Sequence, residues 1–227
     1  MPVQLLLTND GSHTLYNAST DENYHSIHGA VAESRFVFLQ AGLERCTKTE
    51  IRVLEIGFGT GLNAFLTALA AAANNQLVHY TSIEKFPLPE NVWLQLNYAE
   101  MYGNDTSLFK RIHEIEWETD VFLSSTFSLQ KIQGDFCNIA LEGNFDVIYF
   151  DAFSPERQPE LWTDDIFRKL FRHSAWGGIL TTYCAKGSVR RAMQAAGFTV
   201  ERLPGPKGKR EMLRATKLRP NEQGLHH

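Results

Sequence analysis

Cysteine is scarce in this chain. Cys46, Cys137 and Cys184 are odd in number, far apart and never arranged as Cys-x-x-Cys, which argues against a disulfide framework or a thiolate zinc site. They read as reduced thiols. Long apolar runs are missing too. No segment approaches the roughly 20 residues needed to span a bilayer, and residues 1–11 lack the charged start and cleavage site of a secretory signal. A cytoplasmic location with no membrane partner is therefore expected. His25 and His28 are spaced for one helical face, but no third ligand accompanies them, so no metal is expected. Internal repeats and low-complexity tracts are absent, and His226 and His227 resemble the remnant of a tag. With 227 residues and 43% hydrophobic content, the chain can bury one substantial core, the size of a single α/β domain with additions.

The net charge of −4 conceals an asymmetry. Ten lysines and arginines between positions 186 and 219 face only Glu201 and Glu211, a local surplus of +8 that leaves −12 on the rest. A polyanionic partner suits that end, and an ordinary solvated surface is the alternative. Residues 4–8 and 13–17 flank Asn9-Asp10-Gly11-Ser12, a turn signal that predicts a small N-terminal β-hairpin. Apolar residues at 32, 36, 39 and 43 predict a helix over 30–43. Strands are expected at 51–56, 78–83, 127–134, 145–150, 179–184, 198–203 and 210–215. Helices are expected at 64–73, from Pro89 through Ala99, from Thr163 to a stop at Gly177-Gly178, and at 189–196. Residues 107–127 show no clear period. Strands alternating with helices imply an α/β doubly wound, mostly parallel sheet, and Gly205-Pro206-Lys207-Gly208 implies a C-terminal antiparallel hairpin. In such a sheet the ligand crevice lies at the carboxyl ends of the strands.

The run Val53-Leu54-Glu55-Ile56-Gly57-Phe58-Gly59-Thr60-Gly61-Leu62-Asn63 joins a buried strand to a helix start through three alternate glycines. Glycine permits positive φ and removes the Cβ that would keep a ligand from the backbone. The spacing does not fit a dinucleotide fingerprint, whose sixth position here is Leu62, and no Gly-Lys-Ser/Thr ends the run as a Walker loop requires. A tight strand-helix turn without a ligand is the plain alternative. Three acids stand at the ends of later strands: Glu84, Asp135 and Asp151.

Glu55-x-Gly57-x-Gly59-x-Gly61 resembles the first motif of class I S-adenosylmethionine (SAM) methyltransferases. The resemblance implies a Rossmann-like fold with SAM as cofactor. The glycine turn would then take the amino-acid part, Glu84 the ribose hydroxyls and Asp135 the adenine amine. A carboxylate suits both acceptor roles, since it donates nothing when ionised.

The segment Asp151-Ala152-Phe153-Ser154-Pro155-Glu156-Arg157-Gln158-Pro159-Glu160-Leu161-Trp162 resembles the Asp-x-Phe-x-Pro-x-x-x-Pro-x-x-Trp loop of the MnmC family of tRNA wobble-uridine methyltransferase domains, which includes single-domain relatives. Glu33-Ser34-Arg35-Phe36-Val37-Phe38-Leu39, Glu84-Lys85-Phe86-Pro87-Leu88, Val189-Arg190-Arg191 and Lys209-Arg210-Glu211-Met212 agree, so the likeness spans residues 1–216. It implies methylation of the amine of 5-aminomethyl-2-thiouridine at the first anticodon position of tRNA, without the flavin-dependent step for which the chain has no room. The implied cofactor residues are Glu55, Gly57, Gly59, Gly61, Asn63, Glu84, Lys85 and Asp135. Asp151 is the implied catalytic residue, read as an acceptor that orients the amine while water takes the proton. Phe153, Pro155 and Trp162 are the implied contacts to the nucleoside. Phe153 and Trp162 are equally of a type that packs in a core, the favoured place for Trp162. Arg190, Arg191, Lys207, Lys209 and Arg210 would meet tRNA phosphates. The expected division is a hairpin and helix over 1–45, a methyltransferase core over 46–216, and a tail over 217–227 whose order is left open. The alternatives are a spermidine-synthase-like aminopropyltransferase, whose active-site opening Asp21-Glu22-Asn23-Tyr24-His25 faintly resembles, and a non-catalytic tRNA-binding protein.

Overall fold

The computed structural model describes residues 3–103 and 106–220. Its centre is an eight-stranded sheet built from β4 (Glu50–Ile56), β5 (Leu77–Glu84), β6 (Asp120–Ser124), β7 (Phe127–Gln133), β8 (Phe145–Phe150), β9 (Ser174–Thr182), β10 (Thr199–Pro204) and β11 (Glu211–Thr216). The order is β10-β11-β9-β8-β4-β5-β7-β6. β9, β8, β4, β5 and β7 run parallel, while β6 at one edge and the β10–β11 hairpin at the other are antiparallel. β4 is flanked by β5 on one side and β8 on the other, so the connections diverge there and open a crevice beyond its carboxyl end.

Alternation along the strands divides the core between two faces. Val53, Val78, Val147 and Tyr149 pack against Phe38 and against Phe65 of α2 (Leu62–Asn74). Leu54, Ile148 and Phe150 point the other way, towards Phe167 of α6 (Asp164–Arg172) and Met193 of α7 (Gly187–Ala196). β8 is buried along its whole length, as expected of a central parallel strand covered on both faces.

Several elements differ from the sequence expectation. The N-terminal hairpin, β1 (Val3–Leu7) and β2 (His13–Asn17), gains a third strand, β3 (Glu22–Asn23). The helix expected over 30–43 is a short α1 (Ala30–Ser34) that widens into a π-helical turn, Arg35–Gln40, where Val37, Phe38 and Leu39 are all buried. The helix expected from Pro89 breaks into α3 (Glu90–Trp93) and α4 (Tyr98–Met101). Asn97 lies at the break because its side chain is used elsewhere, accepting from His13 N–H at 2.8 Å and donating to the Gly11 carbonyl at 2.8 Å. The unassigned region holds the amphipathic α5 (Thr106–Glu114), which buries Phe109 and Ile112, and then β6. Gly177-Gly178 does not stop α6, which ends at Arg172. Both glycines lie inside β9 at a shift in its register with β8, Gly177 at φ +78°.

Residues 134–144, between β7 and β8, form neither helix nor strand. Lys169 of α6 holds this loop, donating to the Phe136 and Ile139 carbonyls at 2.6 Å each. Lys217, placed in a tail by the sequence, donates to the Phe171 and Ser174 carbonyls at 2.9 and 2.8 Å. Residues 221–227 of that expected tail lie outside the described residues.

Candidate active site

A cavity of about 500 Å³ lies beyond the carboxyl ends of β4, β5, β7 and β8. Its floor is the turn after β4. Gly57 has φ +96°, and a Cβ there would stand 2.6 Å from the Asp151 carbonyl oxygen, so the β4 and β8 ends approach too closely for any other residue. Gly59 has φ +50° and its N–H donates to Glu84 Oε2 at 3.0 Å. The other Glu84 oxygen accepts from Phe86 N–H at 2.8 Å. Glu84 is therefore fixed at the end of β5, with lone pairs remaining for a ligand. Asp135 pairs with Lys85 at 2.8 Å and accepts from Cys137 N–H at 3.0 Å. The Lys85 hydrogen bond, ahead of that amide, holds the Asp135 carboxyl below its ordinary range.

Asp151, at the end of β8, faces the cavity and accepts from Asn63 Nδ2 at 2.8 Å. Burial, followed by the nearby Glu33 charge, pushes its carboxyl up to about 7. Behind it lies Glu55, fully buried and bonded by the Ser82 hydroxyl at 2.6 Å. Burial lifts Glu55 to about 8, so it is mostly protonated at neutral pH. His25 bonds Thr60 Oγ1 at 2.8 Å, and burial lowers it to about 4, which keeps the imidazole neutral.

The structure thus brings together Gly57, Gly59, Asn63, Glu84, Lys85, Asp135, Asp151 and Phe153 in the lining of one cavity. It does not bring Glu55 or Gly61 there. Glu55 lies beneath the floor, and Gly61 caps α2 with its missing Cβ directed at His113, so neither reaches a ligand in the cavity. Pro155 is half-buried in the following loop and outside the cavity lining. Trp162 is buried edge-on against Phe150, with ring centres 4.9 Å apart, and its indole N–H donates to the Phe153 carbonyl at 2.8 Å. It is a prop for the loop and not a stacking surface. Phe153 itself meets Tyr24 edge-to-face, centres 5.1 Å apart.

Arg191, Lys207 and Arg210 are exposed and Arg190 is half-buried, all outside the cavity. Lys209 departs from that group. Its ammonium turns inward, 2.6 Å from buried Glu33 Oε1 and 3.7 Å from the centre of the Tyr183 ring, so a phosphate contact is not its position here. The wall facing β4 comes from residues 17–27, with Glu22, Tyr24 and His25 among them. Glu22 accepts from the Ser154 N–H and hydroxyl at 3.1 and 3.2 Å, and Asp21 pairs with Arg157 at 3.0 Å, tying this wall to the loop after β8. Sequence reasoning gave Tyr24, Glu33 and Tyr183 no site role; the only signals were the stretches 21–25 and 33–39, and Tyr183 carried none. Among the described residues, no cluster of three His, Cys, Asp or Glu side chains is placed to hold a metal.

A family model described as S-adenosyl-L-methionine-dependent methyltransferase matches residues 100–218. The tRNA 5-methylaminomethyl-2-thiouridine biosynthesis bifunctional protein MnmC of Cupriavidus metallidurans is 33% identical over 93% of this chain and 33% of its own length. The protein of the same name from Ectopseudomonas mendocina is 36% identical over 84% of this chain and 31% of its own. The chain spans about a third of the length of these curated relatives. The crystal structure of MnmC2 from Aquifex aeolicus superposes with a TM-score of 0.77 at 29% identity, covering 98% of this chain and 74% of that one. Spermidine synthase from Thermotoga maritima, at 12% identity and a TM-score of 0.53 over 95% of this chain and 72% of its own, shares the fold alone.

Proposed function

Because the chain belongs to the family of S-adenosyl-L-methionine-dependent methyltransferases, whose model matches more than half of it, we propose that it methylates the primary amine of 5-aminomethyl-2-thiouridine at the wobble position of tRNA. The observation that carries this reading is the raised, cavity-facing Asp151 carboxyl beside the glycine turn.

The residues present fit the cofactor. A cavity of about 500 Å³ is of the size that small ligands fill, and the glycines at 57 and 59 leave backbone open to close approach. Gly57, Gly59 and Asn63 would hold the amino-acid end, Glu84 the ribose, and Asp135 with Lys85 the adenine. SAM supplies an electrophilic methyl group on a sulfonium.

The nucleophile must be an unprotonated amine. An amine resembling lysine, with a pKa of about 10.4, would give up its proton to an ordinary carboxylate at a cost of roughly 9 kcal/mol. With Asp151 at about 7 the same transfer costs about 5 kcal/mol, close to the cost of releasing the proton to water at neutral pH. Proton acceptance by Asp151 is therefore as accessible as release to water, and we assign it that role beside orientation, a larger one than sequence reasoning gave it. Asn63 fixes the carboxylate by donating to one oxygen and leaves the other for the amine. Phe153 and Tyr24 offer aromatic surface for a base that is already unpaired in the anticodon loop. The exposed Arg191, Lys207 and Arg210 suit phosphate contacts, which favours RNA over a polyamine substrate.

The test is transfer of labelled methyl from SAM to tRNA bearing 5-aminomethyl-2-thiouridine, beside the same tRNA without the aminomethyl group. Transfer to the first alone is expected, and equal or absent transfer to both rejects the reading.

A further inference from the structure

Glu33, Tyr183 and Lys209 line the cavity beside Asp151 but have no task in methyl transfer as described above. They come from α1, from the loop after β9 and from the turn joining β10 to β11. Two contacts seat the Lys209 ammonium: Glu33 Oε1 at 2.6 Å and the Tyr183 ring, whose centre is 3.7 Å away. The Tyr183 hydroxyl donates to the Ala152 carbonyl at 2.9 Å, so the ring beneath the ammonium is bonded to the residue after Asp151. Glu33 is fixed from its other side by Ser26 N–H, which donates to Oε2 at 2.8 Å. A partly buried ion pair of this kind, with Lys209 half-buried and Glu33 buried, contributes little to stability compared with apolar residues of the same volume. Its value lies in where it puts two opposite charges.

We propose that Glu33 and Lys209 form a tuning couple for Asp151, the Glu33 charge favouring proton uptake by Asp151 and the Lys209 charge opposing it. Only the final step, the link to a substrate ammonium, rests on the aminomethyl-methylation reading. In that step an N–H bond of the ammonium breaks, the electron pair stays on nitrogen and an O–H bond forms on Asp151. Nothing is oxidised or reduced.

Most of the other groups around the couple carry no charge at neutral pH, and the carboxylates of Asp10 and Glu22 act on His25 and Tyr183 and not on Asp151. Beneath the floor, Glu55 is mostly protonated, and the Asn63 amide is uncharged. Burial raises the Tyr80 and Tyr183 phenols well above their ordinary range and also raises the Cys184 thiol. His25, next to Glu33 and Lys209, is neutral. Asp10, which acts on His25 from the β1–β2 turn, is held low against its burial by hydrogen bonds from Ser12 and Thr8. Glu22 of β3 is engaged by Ser154 and acts on Tyr183. Of the charges that act on Asp151 itself, Glu33 raises its carboxyl and Lys209 lowers it.

The experiment reads Asp151 directly. Protein carrying ¹³C in its side-chain carboxyls is titrated by NMR, and the Asp151 signal is assigned by its loss in Asp151→Asn. In Glu33→Gln the Asp151 midpoint should fall by about one pH unit. In Lys209→Met the Asp151 midpoint should rise by about one pH unit. Lys209→Arg should leave the titration in place. Midpoints that stay put in both charge-removing variants, or move the same way in both, overturn the proposal. Single-turnover methyl transfer from pH 5 to 9 then tests the link to reaction, since the acid limb should follow the NMR midpoints, whereas a merely structural role would lower the rate without moving the limb. If the unaltered protein methylates no aminomethyl tRNA, the functional reading falls while the titration still decides the couple.

Discussion

Asp151 combines two properties that usually exclude each other, access to a ligand cavity and a carboxyl held near neutrality by burial. Replacing it with Asn keeps the shape and one acceptor oxygen but removes the basic site. The single-turnover rate should drop by about 10²- to 10⁴-fold, the usual contribution of a positioned base, while calorimetric affinity for SAM changes comparatively little. Collapse of SAM binding instead would recast Asp151 as a cofactor ligand. The glycines, Glu84, Asp135 and Asp151 were legible in the sequence because each stands at the end of an apolar strand, and parallel strands deliver their ends to one crevice. Tyr24, Glu33 and Tyr183 were not, because no local period marks a side chain that reaches the cavity from an added sheet, a short helix or a loop. Lys209 was read as surface because a lysine in a basic, glycine-rich turn gives no sign of a buried carboxylate waiting across the fold.

Among the elements, the loop over residues 134–144 carries Asp135 without helix or strand. The Lys169 ammonium, its charge over the Phe136 ring at 4.2 Å, gathers two of its carbonyls. Lys169→Met should destabilise the protein by about 1.5 to 3 kcal/mol, the range for hydrogen bonds to a charged group, and weaken binding of the demethylated cofactor. Urea denaturation and calorimetry measure the two effects, and unchanged binding would separate Asp135 from the adenine role. Elements misread from the sequence have local causes. A Gly-Gly pair serves a helix stop and a strand bulge equally well, and only the register shift in β9 distinguishes them. The break after Trp93 depends on Asn97 reaching Gly11 and His13, contacts between segments remote in sequence.

For the whole molecule, buried titratable groups set the dependence of stability on pH. Glu55 and Asp151, at about 8 and 7, bind protons in the folded state that they lose near pH 4 when unfolded, so each makes stability fall as pH rises across that span. Burial lowers His25 to about 4 and His113 to about 3, and from there up to 6.5 each makes stability rise with pH. The two pairs oppose each other up to about 6.5, above which the acids dominate until Lys131, lowered by burial to about 8, acts in the opposite sense. The melting temperature should therefore fall between pH 6.5 and 8, and less steeply in Glu55→Gln; a rise over that interval in the unaltered protein would contradict the assignment. Electrostatics outside the cavity predict a second whole-molecule behaviour. Affinity for tRNA should fall with salt, and neutralising Lys207 and Arg210 should reduce the slope of log affinity against log salt by about one per residue. An unchanged slope in filter binding would move the RNA surface elsewhere on the protein.

The cavity lining is joined across the chain by the pair of Glu33 and Lys209, an early residue and a late one. During vectorial synthesis the β4 turn, Glu84, Asp135 and Asp151 all leave the ribosome before the residue that completes the enclosure. A nascent chain stalled short of residue 209 has Glu33 without its counter-ion. The pocket lining is thus complete only once the last hairpin has been translated and folds back onto the beginning.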